Sequence, residues 1–291
     1  MVQQEEPVET VEQVEQVEQN PDGPVVIAVT NQKGGVGKTT VTVNVAGALN
    51  QRGRDVLVVD LDPQGNVTEG LGFADAYDEE PPSLYDVLTE PDQRDQLGGL
   101  IKHHSEMDLV PSNVDHHYSE RQMHDLDEQT PQLARALDGV ASGYDYVLID
   151  CPPSLGYLTD NALYAAENVL IPALAESTSK RSVELLFDHM TSIERAYDVS
   201  IRETAVIANR VETNNEATDM VDWFARAFEG TPQFEVRKRV ALQRAHSAGT
   251  SLFEYDPEVD MCEVFLDVAA ALDTQFGLPP AETTPATQEA E

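Results

Sequence analysis

Lysine is nearly absent from this 291-residue chain: Lys33, Lys38, Lys102, Lys180 and Lys238 are all it has. Positive charge as a whole is short, with Lys+Arg 18 against Asp+Glu 53 and a formal net charge of −35. A surface of that sign repels a nucleic-acid backbone, so casual binding to DNA or RNA is excluded unless a local basic patch supplies it. The acidic excess runs along the whole chain. Concentrated salt would screen the repulsion within a few ångströms, so the balance implies a salt-rich cytoplasm and a halophilic source. Cysteine is also scarce. Cys151 and Cys262 form no Cys-x-x-Cys pair, which removes zinc and cluster signatures and fits reduced cytosolic thiols. No apolar run approaches the ~20 residues of a membrane span. The acidic N-terminus lacks the basic and apolar parts of a secretion signal, and a cytoplasmic protein without membrane association is expected.

What is present divides into a long patterned middle and two acidic ends. Residues 1–24 repeat Val-Glu-Gln from Val11 onward and carry too few large apolar groups to fold alone. Residues 276–291 are similar in character, and both are expected to be disordered tails. The span 25–275 is long enough for one α/β domain with a full core. Apolar runs at Val25–Val29, Asp55–Asp60, Met107–Val110, Tyr144–Ile149, Asn168–Ile171 and Glu203–Ala208 read as strands. Helical spacing follows the first strand at Val41, Val45, Ala46 and Leu49. It recurs over 120–139, 159–166, 180–196, 216–229 and 257–273, with Trp223, Phe224 and Phe228 assigned to core. Residues 72–100 look irregular around Pro81-Pro82, with a short helix at Ser83–Leu88. Strands joined by helices in this rhythm predict a doubly wound, mostly parallel sheet flanked by helices, with ligands at the carboxyl ends of its strands.

Two of the five lysines fall in one loop, Asn31-Gln32-Lys33-Gly34-Gly35-Val36-Gly37-Lys38-Thr39-Thr40, between the first strand and the first helix. Strand, glycine loop and helix is the context in which Gly-Lys-Thr means a phosphate cradle. Backbone amides from Lys33 to Thr40 and the helix N-terminus point at an anion. Lys38 is placed to reach β- and γ-phosphates, the Thr39 hydroxyl to sit on Mg2+, and Thr40 to cap the helix or touch the α-phosphate. Gln32 stands where the usual pattern has glycine, and Lys33 is an addition to it.

Two acidic strand ends accompany the loop. Val59-Asp60-Leu61-Asp62-Pro63-Gln64-Gly65 leaves the second strand with carboxylates at i and i+2, on one side of extended backbone. Read alone this is equally an Asp-rich turn; beside the glycine loop it is a candidate metal and water site. Tyr146-Val147-Leu148-Ile149-Asp150 ends in an acid placed to hold magnesium, directly or through water, and runs on as Cys151-Pro152-Pro153-Ser154-Leu155-Gly156. Cys151 is read as a small packed side chain.

The form Lys-Gly-Gly-x-Gly-Lys-Thr resembles the deviant Walker A motif of the ParA/MinD family of ATPases. Asp60-Leu61-Asp62 is similar to the family's switch I, and Asp150-Cys151-Pro152-Pro153-Ser154-Leu155-Gly156 to its switch II. Ser251 to Asp256 resembles its late Tyr-Asp turn, so the likeness covers roughly 24–273. The resemblance implies a P-loop NTPase fold binding ATP and Mg2+, with weak ATPase activity until a partner stimulates it. It implies that Asp62 orients the attacking water and that Asp60 lies near the metal. It implies that Lys33 reaches the nucleotide of a second subunit in an ATP-sandwich homodimer, and that Asn209-Arg210 reads the adenine. The segment 233–245 resembles the family stretch Ile-Pro-Arg-x-x-x-Leu-x-x-Ala, with Arg237 at or near the proline.

Arg237, Lys238, Arg239 and Arg244, with Lys180 and Arg181 as a smaller group, are the densest positive clusters. Local pairing with carboxylates and a non-specific DNA face formed on dimerisation are both open readings. The chain's end is not the basic amphipathic helix of MinD. Nor does it carry the Cys-x-x-Cys of iron–sulfur carriers, and the leading tail is too short for a helix-turn-helix. The short, Soj-like type remains, with chromosome or plasmid partition, nucleoid localisation and a ParB-like stimulating partner as its implied role. An ATPase that positions a protein cluster without touching DNA, and a metabolic ATP-using enzyme such as a ligase, are the alternatives.

Overall fold

In the computed structural model, residues 23–126 and 128–278 are described, so the expected acidic tails lie almost wholly outside the described residues. The strands, in chain order, are β1 (Val25–Val29), β2 (Val56–Asp60), β3 (Lys102–His103), β4 (Asp108–Val110), β5 (Tyr146–Asp150), β6 (Asn168–Leu174), β7 (Arg202–Val211) and β8 (Gln233–Arg237). They form one sheet in the order β3-β4-β2-β5-β1-β6-β7-β8. Pairing is parallel throughout except between β3 and β4.

The helices are α1 (Lys38–Gln51), α2 (Asn66–Gly70), α3 (Ala74–Tyr77), α4 (Leu84–Thr89), α5 (Leu97–Leu100), α6 (Ser119–Met123) and α7 (Gln132–Leu137). After β5 come α8 (Tyr157–Ala166), α9 (Ser179–Tyr197), α10 (Asn215–Ala227), α11 (Val240–Ala248), α12 (Leu252–Tyr255) and α13 (Met261–Gln275). Alternation along the strands sorts them into two outer layers. Ile27 and Val29 pack with Val45 and Leu49 of α1 and Phe265 and Leu272 of α13. Ala28, between them, packs on the other face with Leu158 and Ala162 of α8. Val169 and Ile171 meet Val183 and Leu186 of α9 on that same face.

The architecture is the doubly wound sheet expected. β1 sits between β5 and β6, and the chain runs to one side of it first and to the other later. The loops after β1, β2 and β5 therefore open at one edge, the place where such sheets bind ligands. Three local readings need correction or completion. The stretch 120–139 is two short helices, α6 and α7, because Pro131 cannot sit inside a helix and instead precedes α7. Residues 233–245, likened to a family stretch but given no secondary structure, form β8 and most of α11. Trp223 is only partly buried, with the Lys180 ammonium 5.6 Å from its ring centroid.

One buried carboxylate ties α13 to the sheet. Asp273 accepts hydrogen bonds from Arg52 Nε at 2.8 Å, Arg54 Nε at 3.0 Å and the Tyr146 hydroxyl at 3.0 Å. Its side chain is 2% exposed, so its loss removes the shared carboxylate of two ion pairs, one of them buried. Asp273→Ala is expected to destabilise the fold by about 3 kcal/mol, the lower end for a broken buried pair because Arg52 is partly solvated. Urea unfolding at neutral pH measures this.

Candidate nucleotide site

The glycine loop is shaped from below. Gly35 and Gly37 take the left-handed conformation, with φ 74° and 92°. A Cβ on Gly37 would collide with the Asn209 side-chain amide. That amide donates from Nδ2 to the Val36 carbonyl at 2.7 Å, and its Oδ1 accepts from Arg210 N at 2.9 Å. Asn31 performs the matching task at the loop's start, donating to Pro172 O at 2.8 Å and accepting from Lys33 N at 3.0 Å. The loop is thus pegged to β6 and β7. Its helix, α1, has no side-chain N-cap, so first-turn amides remain available to an anion.

Lys38 is buried and its Nζ donates to the Asn31 carbonyl at 3.2 Å. Burial pushes its ammonium below the ordinary value, and Asp150, Cys151 and Asp62 pull the other way. Asp60 and Asp150 are register partners at the ends of β2 and β5, and both are fully buried. Asp150 accepts from the Thr39 and Thr42 hydroxyls at 2.8 and 2.9 Å. Asp60 Oδ2 accepts from Thr68 N and Oγ1 at 2.8 and 2.7 Å, while its Oδ1 is buried without a partner. Burial raises both carboxyl pKa values; Asp150 raises that of Asp60 further. Two buried acids, a hydroxyl and an orphaned oxygen make a donor set suited to a hard divalent cation such as Mg2+. Thr39, Asp60 and Asp150 are the residues that fit it.

Asp62 is nearly buried, with Oδ1 accepting from Gln64 N at 3.0 Å and its carbonyl accepting from Ser112 Oγ at 2.8 Å. Burial raises its pKa, opposed by the Gln64 amide, Lys38 and His117. A Cβ added at Gly34 would meet Pro153 Cβ at 3.9 Å, so the loops after β1 and β5 run side by side. Cys151 is packed at 0% exposure and burial pushes its thiol up, which leaves it inert.

A cavity of about 520 Å³ opens beside Thr39 and Thr40, of a size for a nucleoside. Asn209, Arg210, Lys238, Arg239, Gln243 and His246 contribute to its wall. Arg210 is aimed there by a register shift between β7 and β8, and it holds a left-handed φ of 53° that a non-glycine residue adopts only under strain. The basic group of the sequence is therefore divided. Lys238 and Arg239 face the cavity, and Arg239 is paired with Asp260 at 2.9 Å. Arg237 and Arg244 are exposed, Arg181 pairs with Glu184 at 3.3 Å, and Lys180 lies over Trp223. Lys33 bonds within its own chain to Glu176 at 3.2 Å and Thr178 at 2.6 Å. Sequence reasoning passes over Asn31, Gln243 and His246; only Asn31, adjacent to the loop, carries any local signal.

The family model described as "AAA domain" (AAA_31) matches residues 25–203. The sporulation initiation inhibitor protein Soj of Bacillus subtilis (strain 168) is 34% identical over 248 residues, 84% of this chain and 96% of that protein. The chain belongs to the ParA/Soj family of partition ATPases. The chromosome partitioning protein ParA of Myxococcus xanthus is a further relative, 32% identical over 85% of this chain and 87% of that one. Among solved structures, an ATP complex of McdA from Cyanothece superposes with TM-score 0.76 at 21% identity, covering 86% of this chain and 97% of that one. At that identity the likeness speaks for the ParA-type fold alone. Cobyrinic acid a,c-diamide synthase from Mycobacterium smegmatis, solved with an ATP analogue and magnesium, gives TM-score 0.73 at 29% identity over 86% and 94% of the two chains.

Beneath the loop that carries Asp62 lies His116, fully buried, with Nδ1 2.9 Å from Ser119 Oγ. Burial pushes it down to about 4, offset in part by the Leu61 backbone. A histidine depressed in the folded state favours folding above its unfolded value near 6.5, and that contribution is lost as pH falls toward 4. Its full size is on the order of 3 kcal/mol. Denaturant titrations between pH 7 and pH 4 are expected to show a steeper loss of stability in the wild type than in His116→Asn.

Proposed function

We propose that this chain is a Mg-ATP-dependent, dimerising switch that partitions a chromosome or plasmid, binding DNA without sequence preference in its ATP state and leaving it on hydrolysis. The reading rests on one convergence: loop amides, Lys38, Asp60, Asp62 and Asp150 all meet at the carboxyl edge of β1, β2 and β5. The relatives named Soj and ParA, which this chain covers nearly end to end, support the partition role.

In this reading the amides of Gly34 to Thr40 and the Lys38 ammonium hold the β- and γ-phosphates. Lys38 exchanges the Asn31 carbonyl for phosphate oxygens, a stronger, charge-assisted partner. Thr39, Asp60 and Asp150 hold Mg2+, which supplies charge neutralisation to the phosphates when bound. Asp62 accepts a hydrogen bond from water and aims it at the γ-phosphorus; the P–O bond to ADP breaks as the new one forms. Burial that raises its pKa also makes it a better proton acceptor. Asn209 serves by bracing the loop, and Arg210 by walling the base cavity. Lys33 leaves Glu176 and Thr178 for the nucleotide of a second copy, which completes an ATP-sandwich homodimer. A ParB-like protein would speed an otherwise slow turnover. Residence on the nucleoid in a salt-rich cytoplasm follows; no helix among the described residues is long and apolar enough to cross a membrane.

Asp62→Ala is expected to lower ATP hydrolysis by at least a hundredfold, because it removes the group that positions water, while leaving Mg-ATP affinity within about threefold. Phosphate release and equilibrium binding measure the two; hydrolysis at the wild-type rate would sink the assignment.

A second reading, an ATPase that positions a protein cargo without DNA contact, is favoured by the pairing of Arg181 and Arg239 with carboxylates. It leaves Arg237, Lys238 and Arg244 as the exposed cations of the β8–α11 region, of which Lys238 also lines the cavity. Arg237→Glu combined with Arg244→Glu is expected to abolish ATP-dependent DNA binding in molar KCl without altering hydrolysis. If the wild type binds no DNA in any nucleotide state, the cargo reading takes over.

A further inference from the structure

We propose that Tyr77 and His117 are positioning residues for Asp62, clamping the turn that carries it; the inference rests on the assignment of Asp62 above. The turn Asp62–Gly65 closes on itself through Gly65 N to Asp62 O at 2.9 Å and Gln64 N to Asp62 Oδ1 at 3.0 Å. Those bonds fix its internal shape and leave its tilt against the sheet free. Two outside grips set the tilt. Ser112 Oγ donates to the Asp62 carbonyl from the segment after β4. Tyr77, at the end of α3, donates its hydroxyl to the Pro63 carbonyl at 2.7 Å.

Tyr77 does this with both ends of its side chain. Gly65 has φ 61°, and a Cβ there would fall inside van der Waals contact of the Tyr77 ring. Ring and hydroxyl thus touch residues on either side of Gln64, whose amide holds the Asp62 carboxylate. The hydroxyl is itself held. His117 Nε2 lies 3.1 Å from it, and because the phenol proton is committed to Pro63, the imidazole is the donor. His117 stands on a 3₁₀ turn, Val114–Tyr118, capped by Asn113 Oδ1 accepting from Asp115 N at 2.9 Å. The neighbouring His116 roots the same turn in the core. A chain of contacts therefore runs from a buried anchor through His117 and Tyr77 to the turn beside Asp62. Displacement of a reacting group by ~1 Å can cost up to ~100-fold in rate. A clamp of this kind acts on hydrolysis and leaves phosphate binding, which belongs to the loop after β1, untouched.

Tyr77→Phe tests this in the full chain, because it keeps the ring against Gly65 and removes only the hydroxyl. Single-turnover hydrolysis of Mg-ATP is expected to slow about tenfold, with ATP affinity and thermal midpoint unchanged. His117→Ala is expected to do the same, and His117→Gln, which retains an N–H donor, to recover most of the rate. Backbone hydrogen exchange over residues 61–70 is expected to quicken in Tyr77→Phe while exchange in β1 and β5 stays put. Wild-type hydrolysis and exchange in Tyr77→Phe, with Asp62→Ala inactive, would overturn the clamp and leave the Asp62 assignment standing. An active Asp62→Ala would remove that assignment and the clamp with it.

Discussion

Two carboxylates, Asp60 and Asp150, end neighbouring strands side by side and fully buried. Left alone, like charges at such a place raise each other's pKa and resist ionisation. The surrounding structure is arranged to make them tolerable. Lys38 supplies positive charge from α1, Thr39 and Thr42 donate to Asp150, and Thr68 donates twice to Asp60. One oxygen of Asp60 stays unmet. A buried orphan of that kind is costly in a fold with no further purpose for it. The proposed function explains it by a divalent cation held there.

The same requirement accounts for the unusual backbone around it. Lys38 reaches this region only if the chain leaves β1 in a tight turn, and the turn needs left-handed residues at Gly35 and Gly37. Such a turn would be loose without support from outside. Asn31 and Asn209 provide it, each spending its amide on backbone groups of the loop or its neighbours. The strain at Arg210 fits the same account: the residue next to the supporting Asn209 is bulged out of β7, and its side chain is sent into the adjoining cavity.

What could be read from the sequence follows from how far apart the cooperating residues lie. The strand–loop–helix unit and the acids at Asp60, Asp62 and Asp150 were legible because each depends on a local pattern, and the parallel topology forces strand ends together. The single helix expected over 120–139 breaks before Pro131, because a proline outweighs the apolar period that runs across it. The supporting role of Asn209 was not legible, since it depends on a contact 173 positions away with Val36. The division of the basic cluster was hidden for the same reason. Whether Lys238 and Arg239 face outward depends on where β8 stops relative to α1, which no spacing within 233–245 reveals.

That division bears on how so acidic a chain can manage polyanions at all. Of five lysines, Lys33 and Lys38 lie in the phosphate loop and Lys238 lines the adjoining cavity, with Arg210 and Arg239 beside it. A net charge of −35 sets a repulsive field at long range. At molar salt that field decays within ~3 Å, whereas charges in a partly buried cleft are screened far less. A nucleotide therefore feels mainly the cations it touches. An extended DNA backbone, lying across the surface, meets the carboxylates as well as Arg237 and Arg244 and loses its counterion advantage as salt rises. The physics that permits nucleotide binding here makes DNA binding the more demanding of the two tasks. Under the proposed function, that favours a surface assembled from two copies, where the few exposed cations of each are added together at one place.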